Sequence, residues 1–199
     1  MTDDTVFYGD EDIKIAPQNL SELRKQENPD TDDNIDLYLR ERRLGNTDRA
    51  KALGRSFVAD LIDCVWTKAP DEVDPAVFDT QLKILFVYAM HRTVDGYSQN
   101  HILANTAIAS FYELLEAEEP VFFDALCKST AFTMYLYAHR SRQENAESVG
   151  GIFASMCGVK GNGDCAAIGE SAYARFTGAC VQRMADAGYR ADGEDSHEL

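Results

Sequence analysis

Apolar residues along this chain recur at intervals of three and four, and runs that alternate apolar with polar are essentially missing. That period is the helical one, so the expected fold is all-α. The clearest stripe is Ala50, Leu53, Gly54, Phe57, Val58, Leu61, Ile62 and Val65, with Asp48, Arg49, Lys51, Arg55, Asp60 and Asp63 on the wet face. It predicts a helix over about 48–68 with Thr47 as its cap. Asp74-Pro75 opens another, to about 95, because proline fits a first helical turn. Its segment Ile84–Met90 is apolar on all sides, which places that helix at the centre of the fold.

The same spacing predicts helices at about 17–27, 32–44 and 98–118, with Gly45 as a C′ residue after the second of these. Pro120 starts a helix to about 139, and shorter and longer helices follow at about 147–157 and 164–187. The polar stretch RSRQENAE at 140–147 reads as a connection. Gly169, Ala172, Ala174, Gly178 and Ala179 make the last helix thin, so neighbours can approach it closely. Short connections favour antiparallel neighbours. The expected architecture is a single-domain bundle of about six to eight mostly antiparallel helices over 17–188. It is flanked by an acidic, flexible arm at 1–16, holding the apolar island Val6-Phe7-Tyr8, and an acidic, flexible tail at 189–199.

Charge sharpens this division. The net charge is −15 over 199 residues, of which residues 1–36 carry −8 (eleven acids, three bases) and 186–199 carry −4 (five acids, one base). The centre is left at −3, so the ends are acidic and the body nearly neutral. Such a balance repels nucleic acid and anionic membrane, and neither is expected as a partner. No apolar run reaches the roughly 18 residues of a membrane span. Five cysteines, an odd number with no framework spacing, point to a reducing, cytoplasmic setting.

Four stretches carry candidate chemistry. CGVKGNGDC, 157–165, has the glycine spacing of a phosphate loop, but Asp164 and Cys165 stand where the chemistry needs lysine and a hydroxyl. It reads instead as a tight link between helices, with Gly158 ending one, Gly161 and Gly163 permitting positive φ, and Asp164 capping the next. Cys165, in a first helical turn, is a candidate for a lowered thiol pKa.

MHRTVDGYSQNH, 90–101, places His91 and His101 symmetrically about a turn at Gly96. His91 and Asp95 are four apart on one helical face. Two imidazoles and a carboxylate are the ligand set of a two-histidine, one-carboxylate metal centre. The same groups suit metal-free acid–base work, with Asp95 orienting a histidine. His139 is a further candidate, and Tyr88, Tyr97 and Tyr112 lie nearby. PDTDDNIDLYLRE, 29–41, echoes a calcium loop with Asp30, Asp32, Asn34, Asp36 and Glu41 at the ligand positions, but Ile35 stands where the sharp turn needs glycine.

No complete catalytic motif is present, and no cofactor is expected. The expected function is a helical interaction module that binds a protein partner or itself. The alternative is a small-molecule-binding protein or metal-dependent enzyme using the His/Asp patch of residues 90–105.

Overall fold

The computed structural model describes residues 29–63, 68–140 and 148–189. The arm at 1–16, the helix expected at 17–27, the connection at 141–147, Cys64 and the tail from 190 lie outside them. Among the described residues there are eight helices and no strand. They are α1 (Pro29–Arg43), α2 (Asn46–Ile62), α3 (Pro75–Tyr97), α4 (His101–Glu118), α5 (Pro120–Lys128), α6 (Ala131–Arg140), α7 (Val149–Met156) and α8 (Gly163–Asp186). The fold is the all-α bundle that the apolar period implies. No described helix is long and apolar enough to cross a membrane.

The chief packings are α2 on α4, α3 on α8 and α7 on α8. α3 also meets α2, α4, α5, α6 and α7. Every residue from Ile84 to Met90 is 1% exposed or less, as a helix apolar all round requires. Tyr88 lies at its middle, stacked between Tyr135 (5.1 Å) and Tyr173 (5.6 Å). Phe86 meets Phe176 edge-on at 5.4 Å, tying α3 to α8.

Two helix crossings depend on missing side chains. A Cβ on Gly54 would lie 2.0 Å from the Ala107 carbonyl oxygen of α4. One on Gly169 would lie 2.7 Å from Cβ of Phe153 on α7. The thin face expected of α8 is therefore in use at Gly169, while Gly178 has open space around it.

Helix ends follow local polar chemistry. Asp74 caps α3, accepting from Ala76 N at 2.8 Å and Val77 N at 3.2 Å, with Pro75 in the first turn. Four expectations need correction. Thr47 does not cap α2: the helix begins at Asn46 after Gly45 in the left-handed region (φ 75°), and Thr47 is buried inside it. α4 begins at His101 and not at 98, because Asn100 accepts from Leu103 N at 3.0 Å. Asn162, not Asp164, caps α8 by accepting from Cys165 N at 2.9 Å, which leaves Gly163 as a helical residue without positive φ. The helix expected over 120–139 is two, because the Ser129 hydroxyl accepts from Ala131 N at 3.1 Å and holds its own backbone extended (ψ 137°).

Candidate functional site

The break at Ser129 creates a groove. α5 brings Phe123, Leu126 and Cys127 to one wall, α6 brings Phe132 and Thr133 to the other, and Tyr112 of α4 completes it. The groove encloses about 400 Å³, within the range of small-molecule sites. Three aromatic rings and one leucine supply its apolar surface. Ser129, Thr133, Cys127 and the Tyr112 hydroxyl supply hydrogen-bonding groups, and none of these seven residues is an acid or a base of the Asp, Glu, Lys, Arg or His type.

His91 of α3 stands behind this wall. Its Nε2 is 2.8 Å from the Tyr112 hydroxyl, and its ring meets Phe132 edge-on at 5.1 Å and Tyr112 at 5.5 Å. Helical spacing explains the approach: the apolar stripe of α4 that carries Leu103, Ala107 and Phe111 inward sets Tyr112 at its edge, half-buried. With the imidazole protonated on Nδ1, the phenol donates to Nε2. In the other tautomer, Nε2 donates to the phenol oxygen.

Burial lowers the His91 pKa below its ordinary value, and the Asp95 carboxylate four residues on offsets part of that. Burial, with charge on the neighbouring Cys127 adding to it, pushes the Tyr112 phenol up to about 12. Near neutral pH the pair is a neutral imidazole bonded to a neutral phenol. It can present a donor or an acceptor to a bound molecule, and it carries no net charge of its own.

A lowered histidine pKa also makes a stability statement. The unfolded chain binds the proton more readily than the folded one. The fold therefore holds its full contribution from this group above about pH 6.5 and loses it as pH falls toward the depressed folded value. His91→Gln should remove that part of the acid sensitivity. The check is urea denaturation of both proteins at pH 7.5 and 5.5, in which the variant loses less stability between the two than the parent does.

The other sequence candidates fall in different places. Asp95 is exposed on α3, close enough for its charge to act on His91. His101 is exposed at the start of α4, and its Nε2 is 2.9 Å from Asn34 Oδ1 of α1. The two histidines thus engage different partners, one in the aromatic groove wall and one at the α1–α4 contact. His139 lies on α6, and its side chain is outside the description. Tyr88 is in the core stack, where its ring meets the groove-lining Phe132 edge-on at 6.1 Å from behind, and Tyr97 packs partly buried against the core. Among the described residues, no group of three His, Cys, Asp or Glu side chains is placed to hold a metal ion.

The calcium-like stretch runs along a helix. Positions 30–41 belong to α1, a straight continuation that Ile35 permits and that a ligand-wrapping loop would have to break. Asn34 bonds His101, and Glu41 accepts from Arg40 at 3.0 Å and from Asn46. These two hydrogen bonds, Asn46 first, lower the Glu41 pKa.

In the glycine loop, Gly158 (φ 81°) and Gly161 (φ 84°) take the left-handed turns that glycine alone enters cheaply. Cys165 is fully buried, and burial raises its pKa even though the Cys157 thiol bonded to it acts the other way. Burial pushes Cys157 up to about 12, with Cys165 adding to it. The thiol expected to be lowered by its place in a first helical turn is thus raised, and burial is the cause. A second groove, of about 380 Å³, lies between α2 and α8. Charged groups dominate it, and Arg183 bonds Asp60 across it in a two-pronged pair, Nε to Oδ2 at 2.9 Å.

No family model, no curated protein and no solved structure matches this chain.

Proposed function

We propose that this is a small-molecule-binding protein whose site is the groove between α5 and α6, and that it takes an uncharged, flat, largely apolar molecule bearing one hydrogen-bonding group. The carrying observation is the hydrogen-bonded His91–Tyr112 pair set against Phe123, Phe132 and Leu126 in a groove without formal charge. An apolar lining with a few converging polar groups is the usual make-up of a ligand site. Neutrality of the lining matters because the chain as a whole carries −15, so charge is excluded locally and not by composition. No metal enters this reading. The metal-centre alternative needs His91 and His101 on one ion, and each has a separate hydrogen-bond partner.

A minimal probe is p-cresol, an aromatic ring with one hydroxyl. At roughly −0.5 kcal/mol for each non-hydrogen atom it should bind with a Kd of about 1 mM. Thr133 is exposed at the groove mouth, and Thr133→Trp should fill the space and weaken binding at least tenfold. Tyr112→Phe should weaken p-cresol and leave toluene unchanged. Titration followed by ligand-observed NMR decides it: equal p-cresol affinity in the parent and in Thr133→Trp contradicts the site.

The interaction-module expectation has a separate support, the exposed apolar residues Ile35, Tyr38 and Leu39 on α1.

A further inference from the structure

We propose that the outward face of α1 is a self-association surface, on which α1 of a second copy packs antiparallel about a two-fold axis. Ile35 is 52% exposed, Tyr38 39% and Leu39 45%. Positions 35, 38, 39 and 42 fall on one side of a helix. The flank beside Tyr38 is already committed: Asn34 bonds His101, and Glu41 is 3% exposed and held by Asn46 at the start of α2. So α1 is anchored with three of its apolar side chains turned away from the core. A stripe at helical spacing is what a partner helix fits.

Charge selects the occupant and its direction. Along one flank of this face the first half of α1 carries the exposed Asp36 and the second half the exposed Arg43. A parallel copy would set acid beside acid and arginine beside arginine. An antiparallel copy sets Asp36 of each beside Arg43 of the other, twice over by symmetry. A two-fold interface must be self-complementary in this way, and α1 is. Tyr38 and Leu39 lie between these two charges, where the axis would pass.

The size of the surface sets its strength. A helix of 15 residues is about 22 Å long. One such face falls short of the roughly 800 Å² per partner of a stable interface, so the dimer belongs in the micromolar range. The net charge of −15 on each copy opposes approach, and salt of about 0.15 M, with a Debye length near 8 Å, screens that repulsion more than it screens close pairs.

The experiment is sedimentation equilibrium of the full chain at about 200 µM in 0.15 M salt. The parent should sediment as a dimer, and Leu39→Asp should weaken association at least tenfold. Asp36→Lys and Arg43→Glu should each be monomeric alone and should form a heterodimer when mixed. All three positions are exposed, and far-UV circular dichroism checks that each variant keeps its helices. A monomeric parent overturns the proposal, whatever else covers α1. A dimer untouched by Leu39→Asp overturns it too, and charge variants that stay monomeric on mixing overturn the antiparallel arrangement.

Discussion

Gly54→Ala should destabilise the protein by about 2 kcal/mol or more, although alanine is the better helix former by roughly 1 kcal/mol. The reason is the α2–α4 crossing. A methyl group at position 54 would lie 2.0 Å from the Ala107 carbonyl oxygen and 3.0 Å from the Phe111 nitrogen. Both are backbone atoms of one helix, so no side chain can rotate aside. The whole of α4 must shift, and α4 carries Leu103, Phe111 and Leu115 into the core. Gly178→Ala is the control. Position 178 also lies within a helix, but nothing is within 4 Å of the added methyl, so the same substitution should stabilise by about 0.5–1 kcal/mol. Thermal unfolding of the two variants should therefore separate by roughly 5–12 °C, at about 2–4 °C for each kcal/mol in a chain of this size. Equal melting temperatures would mean that the α2–α4 approach is looser than described.

Phe153→Ala should cost about 3–5 kcal/mol, the usual range for removing a fully buried phenylalanine. The ring is 0% exposed, meets Phe78 of α3 edge-on at 5.6 Å, and lies against Gly169 of α8. It therefore joins α7, α3 and α8 at one point. Gly169→Ala should also destabilise, because the new methyl would lie 2.7 Å from Cβ, 2.9 Å from Cγ and 2.9 Å from Cδ1 of Phe153. The two changes should not add. Removing the ring takes away two of those three contacts and leaves room for the helices to adjust, so the double variant should be about 1–2 kcal/mol more stable than the sum of the singles predicts. Urea denaturation of the four proteins measures this coupling. Strict additivity would show that Gly169 is constrained by something other than the ring.

The bundle was legible because burial imposes its own period. Leu53, Phe57 and Leu61 are buried because they share a face, and Ile84–Met90 is buried throughout because α3 is surrounded. Asp74-Pro75 was legible because cap and proline act within three residues. Where the reading failed, a helix start was set by a residue other than the one expected: Asn162 and not Asp164 caps α8, Asn100 caps α4 past the expected start at 98, and α2 begins after the left-handed Gly45 with no side-chain cap.

The groove was hidden for the same reason. Ser129-Thr130 sits inside a long apolar pattern that reads as one helix, yet the serine cap splits it, and the split is what separates Phe123 and Leu126 from Phe132. The signal, a serine two residues before Ala131 and followed by threonine, was present but weak. His91 and Tyr112 were both visible as chemical groups. Their pairing was not, since they are 21 residues apart on helices whose relative rotation only the packing of α3 on α4 fixes. His101 was set opposite His91 by symmetry about Gly96. The turn is asymmetric in fact: α3 runs through Gly96 to Tyr97, and α4 starts at His101 behind the Asn100 cap. The imidazoles are thereby directed to different neighbours.

The central claim is that the α5–α6 groove is a ligand site, and chemical-shift mapping tests it most directly. The protein, labelled at methyl and aromatic carbons, is titrated with p-cresol. The account predicts saturable shifts at Thr133, Leu126, Phe132 and Tyr112, with the His91 ring responding through its bond to Tyr112. Shifts centred on the charged groove of Asp60 and Arg183, or no saturable shift at any residue of the aromatic groove, would contradict it.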